Sequence, residues 1–236
     1  ERIYPASMTK IMTALLTIEN LPDLNETITV PEDIFEELTA QDASVAGFNP
    51  YEQPTVRDLL YGVLLPSGAD ACETLARAVG GSEEGFVAMM NQKAEELGLT
   101  NTHFENCTGL HNDNHYSTCR DIAVLMSECL KSDTFREIVT REVYTTEATA
   151  SHPEGITLYD TMLHRFTSYE MSTTLENGAV IEGGKTGFTD EAGQCLVSFA
   201  EYGGEEYILV TAEAMTDSGS AVDSIADAST VYGRLQ

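Results

Sequence analysis

Apolar residues recur at helical spacing from near the start of this chain to about residue 139. Beyond that point they occur in short strand-like runs, and this segregation limits the fold more than any other feature. Ile11, Met12, Leu15, Leu16 and Ile18 share one face of a helix predicted over Met8 to Asn20, with Ser7 placed as its cap. Three further helical blocks carry the usual stop residues. Val56 to Leu65 is closed by Pro66, Ala69 to Val79 by Gly80 and Gly81, and Ser82 to Leu97 by Gly98. Another helix is predicted from Cys119 to Lys131 with Thr118 as cap, and a short one from Thr134 to Val139. Between the first helix and this group lie a predicted strand at Ile28 to Val30, a helical turn at Glu32 to Leu38, and a loop around Gly47, Pro50 and Pro54.

The later runs are rich in β-branched and aromatic residues and are separated by turn signals. They cover Glu142 to Glu147, Gly155 to Asp160, Ala179 to Ile181, Gly184 to Thr189, Gln194 to Glu201 and Glu206 to Ala212, with Gly203 and Gly204 marking a hairpin. A closing helix is predicted from Ala221 to Tyr232. The expected fold is α+β, an antiparallel sheet flanked by helices, with an all-helical region contributed by the first half.

A chain of 236 residues with 42% hydrophobic content can bury a real core as one large domain or two small ones, and a single domain over 1–236 is the simpler expectation. It carries 39 acidic residues against 12 Lys and Arg, a formal charge of −27 that opposes binding to nucleic acid or to an anionic bilayer. No apolar run approaches the length of a membrane span. The five cysteines cannot all pair within one chain and form no CxxC unit, so a zinc cluster is not expected. No cofactor is expected for the chain. Cys72 and Cys129 fall in apolar-periodic stretches and read as small buried hydrophobes. No signal peptide is visible.

In so acidic a chain two basic motifs stand out: Ser7-Met8-Thr9-Lys10 and Gly184-Lys185-Thr186-Gly187. Positions i and i+3 of a helix share a face, which puts the Lys10 amine within reach of the Ser7 hydroxyl. At a helix start, the dipole also favours negative charge developing on that oxygen. A serine three residues before a lysine is by itself a weak signal; paired with a distant strand-borne Lys-Thr-Gly it is far stronger. Ser67, between two predicted helices in Pro66-Ser67-Gly68-Ala69-Asp70-Ala71, supplies a third element in the same order. Taken alone, Ser67 also reads as a simple helix cap, Asp70 as a first-turn acid, and Thr189 as an ordinary strand residue. His111 to His115 contains metal-ligand residue types, imidazole and carboxylate, within a loop.

With these three elements in order, the chain resembles the serine D-alanyl-D-alanine carboxypeptidases of the DacA type, the low-molecular-mass penicillin-binding proteins. Pro5 to Thr13, Leu59 to Ala71, Asn101 to Phe104, Thr108 to Leu110, His115 to Thr118 and Gly184 to Thr189 carry the resemblance, which extends over effectively the whole chain. It implies a β-lactamase/DD-peptidase-like transpeptidase fold and a single catalytic domain, with a leader, first strands and any C-terminal anchor apparently absent from this sequence. It also implies an extracytoplasmic location in the cell envelope or as a secreted protein, and membrane association only through missing segments. The implied partners are peptidoglycan stem peptides ending in D-Ala-D-Ala, with β-lactams as covalent inhibitors.

The resemblance further implies roles. Ser7 would attack the carbonyl between two D-alanines, Lys10 would accept its proton, and Ser67 would relay a proton to the leaving amine. Lys185, Thr186 and Thr189 would receive the terminal carboxylate. The backbone N–H groups of Ser7 and Phe188 would hold the oxyanion, with Gly187 allowing close backbone approach. One departure stands out: where the family usually has asparagine, this chain has Ala69. Either another polar group or the backbone takes over that contact, or activity is reduced. A class A β-lactamase and a non-catalytic penicillin- or peptidoglycan-binding module are the competing readings.

Overall fold

The computed structural model describes residues 1–214 and 222–236. Seven helices precede the first strand: α1 Lys10–Asn20, α2 Ile34–Ala40, α3 Val56–Leu64, α4 Ala69–Gly80, α5 Glu83–Glu96, α6 Cys119–Cys129 and α7 Asp133–Val139. Their starts are set by the expected chemistry. Ser82, Thr118 and Ser132 each accept an N–H from the first turn of α5, α6 and α7. Thr55 and Asp58 form a reciprocal capping box on α3. α1 is buried along almost its whole length and packs against α3, α4, α5, α6 and α7. This hydrophobic helix is thus the axle of the helical region.

Among the described residues, two antiparallel sheets follow. β1 Val143–Thr145 pairs with β2 Thr157–Tyr159. β3 Val180–Thr189, β4 Gly193–Tyr202 and β5 Glu205–Ala214 form a meander in the order β3-β4-β5. Period-two alternation divides the faces of β4. Cys195, Val197 and Phe199 join the core built on the helices, whereas Leu196 and Ala200 join a second core with α8 Leu163–Ser168 and α9 Asp223–Tyr232. The sheet is therefore covered on both sides, as in an α+β layered domain.

Several elements differ from the sequence reading. Ile28 to Val30 is not a regular strand; it runs beside residues 51–55 through a bridge between Thr27 and Thr55 and the Ile28–Pro54 and Val30–Glu52 backbone bonds, and Pro54, which has no N–H to give, interrupts the ladder. The runs predicted at 179–181 and 184–189 belong to one strand, which begins at Val180 and has a register shift between Ile181 and Gly183 that leaves Glu182 unpaired. α8 was not anticipated; its six residues are too few to show a helical period. α9 begins at Asp223, and Ala221 lies outside the described residues. All five cysteines are free, and Cys107 and Cys195 are buried along with Cys72 and Cys129.

Candidate active site

Ser7 does not cap a helix. It lies inside a 3₁₀ turn, Ala6–Thr9, that runs directly into α1, and no side chain caps that turn. Ala6 adopts a positive φ of 46°. Two glycines from distant parts of the chain close on this turn. A Cβ on Gly109, itself at φ 83°, would come 1.9 Å from the Ala6 carbonyl oxygen. A Cβ on Gly187 of β3 would come 3.0 Å from the Ser7 nitrogen. The nucleophile turn is thus held between the Thr108-Gly109 loop and β3, in contacts that only glycine allows.

Lys10 Nζ donates to Ser7 Oγ at 2.9 Å and to the Thr108 carbonyl oxygen at 2.6 Å. The side chain is 3% exposed. Burial lowers its pKa, while Cys72, Cys107 and Asp70 pull weakly the other way. The Thr108 carbonyl is thus the second oxygen on Lys10, on a side chain that Ala69 has no polar group to reach. Ala69 itself contributes only its backbone, donating N–H to the Ser44 carbonyl at 2.7 Å.

Ser67 follows Pro66 with φ 66°, and its buried Oγ has no hydrogen-bond partner. The cap position of α4 belongs to Gly68. Ser67 is therefore not a helix cap but a hydroxyl held in a strained conformation at the cleft. Asp70 is an anchor: its carboxylate accepts N–H groups from Ala46, Gly47 and Phe48 and ties down the loop before α3.

On β3, Lys185 is fully buried and donates to the Thr186 carbonyl oxygen at 3.0 Å. Burial, reinforced by repulsion from Lys10, lowers its pKa, and nearby Asp160 opposes the shift. Asp160 is buried too, and its carboxylate accepts the Met162 and Leu163 N–H groups at the start of α8. Thr186 Oγ1 lies 2.6 Å from Thr161 Oγ1. Thr189 Oγ1 accepts the Ala192 N–H at 3.1 Å, which shapes the turn between β3 and β4.

Ser7, Ser67, Thr186, Gly187, Phe188 and Thr189 line one cleft of about 580 Å³. Lys10 and Lys185 are buried beside it: one touches Ser7 and the other adjoins Thr186 in β3. Sequence reasoning missed Thr161, Arg165, His111 and Gln194, which share the lining. Thr161, Arg165 and Gln194 belong to no motif, His111 drew notice only as a metal-ligand type, and only the fold brings them to the cleft. His115 lies behind α1, where its Nδ1 accepts the Glu105 N–H and its Nε2 donates to Thr9 Oγ1 at 2.8 Å. Among the described residues one group, Glu73, Glu83 and Cys107, has ligand atoms within 4.8 Å of one another. Burial and the neighbouring Glu83 raise the pKa of Glu73, whose Oε1 accepts from Cys107 Sγ at 3.4 Å.

An acceptor hydroxyl bonded to a desolvated amine, beside an exposed strand edge with a second buried amine, is suited to acyl transfer through a serine ester. Comparison with known proteins points the same way. Residues 1–216 match the family described as D-alanyl-D-alanine carboxypeptidase, peptidase S11. The chain is 36% identical over 217 residues to the D-alanyl-D-alanine carboxypeptidase DacF of Bacillus subtilis, covering 92% of this chain and 52% of that protein. It is 37% identical over 210 residues to a Streptomyces D-alanyl-D-alanine carboxypeptidase, covering 86% of this chain and 69% of that one. The crystal structure of a Streptomyces DD-transpeptidase superposes with a TM-score of 0.82 at 32% identity, covering 99% of this chain and 88% of the other. The chain thus spans about half the length of some relatives and over two thirds of others. On sequence and fold together, it belongs to the peptidase S11 family of D-alanyl-D-alanine carboxypeptidases.

Proposed function

We propose that this chain is the catalytic domain of a serine D-alanyl-D-alanine carboxypeptidase acting on peptidoglycan stem peptides in the cell envelope. The observation that carries the reading is the 2.9 Å hydrogen bond from Lys10 Nζ to Ser7 Oγ, made by an amine whose charge burial disfavours. With Lys10 neutral, its lone pair accepts the Ser7 proton as Oγ attacks the carbonyl between the two D-alanines. The C–N bond then breaks. The leaving amine takes a proton delivered through Ser67, and D-alanine departs. Water hydrolyses the resulting serine ester and restores Ser7.

The other site residues act on the substrate's charges. Lys185 and the hydroxyls of Thr186 and Thr189 receive the terminal carboxylate. The N–H groups of Ser7 and Phe188 face the developing oxyanion, where one such donor typically contributes about 3 kcal/mol. A β-lactam acylates the same oxygen, and its ring-opened ester persists. In the test, a peptide ending in D-Ala-D-Ala yields free D-alanine, Ser7→Ala abolishes release, and a mass spectrum shows one β-lactam adduct on Ser7. Rapid loss of that adduct would favour a β-lactamase. A stable adduct without peptide hydrolysis would favour a penicillin-binding module.

A further inference from the structure

The backbone oxygen on Lys10 belongs to a peptide unit that is held from its other side as well. In a trans peptide the C=O of one residue and the N–H of the next lie in one plane and point in opposite directions. The Thr108–Gly109 unit offers its oxygen to Lys10 Nζ at 2.6 Å, and its Gly109 N–H goes to Asn106 Oδ1 at 2.7 Å. From Asn106 to Ser7 there is thus one unbroken line of hydrogen bonds: side-chain amide, peptide, amine, hydroxyl. Such a line polarises along its length.

Asn106 is bound into this loop at several points. Its Oδ1 also accepts the Thr108 N–H at 3.3 Å and the Thr108 hydroxyl at 3.2 Å, and its Nδ2 donates to the Leu110 carbonyl oxygen at 2.9 Å. A side-chain amide, with acceptor and donor on one carbon, fills all these roles. The residue that follows it is fastened independently. Cys107 gives its N–H to Glu83 at 3.2 Å and takes the Thr13 hydroxyl on its carbonyl oxygen at 2.6 Å. Those bonds keep the loop attached to α1 and to the start of α5, whereas the next peptide plane has Asn106 as its hydrogen-bond anchor. Half-buried Asn106 lines a cavity of about 450 Å³ that adjoins the catalytic cleft, and is not in the lining of the cleft itself.

We propose that Asn106 is the positioning residue of the base: through the Thr108–Gly109 peptide it aims the Lys10 lone pair at the Ser7 hydroxyl. A neutral amine has two hydrogens and one lone pair. With one hydrogen held by the Thr108 oxygen, the lone pair turns to the Ser7 proton without breaking that bond. The peptide thus does for the lysine what a carboxylate does for the histidine of a serine triad. This rests on the reading of Lys10 as the base that activates Ser7.

The test is acylation by a chromogenic cephalosporin, followed by stopped flow across pH. Saturation with cephalosporin separates the rate constant of acylation from the dissociation constant of the complex before it. Asn106→Leu should lower the rate constant about tenfold on the alkaline plateau, the order of loss for a misaimed base, and leave the dissociation constant unchanged. Its pH midpoint should also move down, because an amine that loses a carbonyl acceptor loses support for its charged form. The titratable neighbours of Lys10 are the same in both proteins: Cys72 and Asp70 on α4, Cys107 in the loop, Lys185 on β3, and His115. Asn106→Asp, which keeps the acceptor for the Gly109 and Thr108 N–H groups, should recover most of the rate constant. Should Asn106→Leu not fold, Asn106→Ser carries the comparison, with a fall of about threefold. A variant that melts earlier but acylates with the wild-type rate constant and midpoint overturns the positioning role and leaves the carboxypeptidase reading standing. A wild type that never acylates overturns both.

Discussion

Thr161 Oγ1 and Thr186 Oγ1 share a 2.6 Å hydrogen bond across the floor of the cleft. Thr161 enters α8 from β2, and its own N–H is fixed to the Leu65 carbonyl at 3.1 Å. It therefore aims the Thr186 hydroxyl. Thr161→Val keeps the shape and removes the oxygen. It should lower kcat/KM for a D-Ala-D-Ala peptide about fivefold, the value of one ordinary hydrogen bond, with Thr161→Ser restoring most of it. Equal kinetics for wild type and Thr161→Val would show that Thr186 needs no such partner.

Acylation should follow the neutral form of Lys10. Because burial depresses that amine, the rate of acylation by a chromogenic cephalosporin should climb as pH rises, with its midpoint below 10.5. Stopped-flow traces over the stable pH range measure this directly. Lys10→Met should leave the cephalosporin unreacted at every pH. A rate that falls on going from neutral to mildly alkaline pH would contradict a lysine base.

Burial pushes the His115 imidazole down to about 3, and the ring is held neutral by Glu105 and Thr9. The unfolded chain binds a proton on this group near pH 6.5, so between about 6.5 and 3 it takes up a proton that the folded chain refuses. Stability from this group is complete above pH 6.5 and is lost on acidification through that window. The slope contributed is about 1.4 kcal/mol per pH unit. Urea titrations of wild type and His115→Gln should show their stability difference shrinking from pH 6 to pH 4. A difference that does not change with pH would mean that the imidazole is already charged in the fold.

Gly109 and Gly178 both sit at positive φ, 83° and 90°, but only Gly109 faces another backbone. Gly178→Ala carries the conformational cost alone, about 1 kcal/mol. Gly109→Ala adds a collision with the Ala6 carbonyl and should cost about 3 kcal/mol or more, with acylation of Ser7 lost in whatever folds. Thermal melts of the two variants separate strain from collision.

Much of this was legible in the residues. The helices announced themselves because Ser82, Thr118 and the Gly80-Gly81 pair are chemical punctuation, and the long apolar periods leave no other solution. Ser7, Ser67 and the Lys185 to Thr189 run could be named because motif spacing survives in one dimension. What could not be read depends on tertiary closure. The second oxygen on Lys10 is a backbone carbonyl, and every residue has one, so nothing in the sequence marks Thr108. Thr161 and Gln194 lie in no pattern; strand register brings them to the cleft. Ser7 read as a cap because serine before an apolar helix usually is one, whereas here the Gly109 and Gly187 contacts hold it inside a tighter turn.

Because the turn that carries residue 7 is clasped by segments near 109 and 187, its chemistry cannot precede the arrival of the sheet. A partly folded or half-synthesised chain presents only an ordinary alcohol and a solvated, protonated amine. Antibiotic labelling at that position is thus a stringent report of completed folding: a fluorescent penicillin would count finished molecules and ignore all earlier ones.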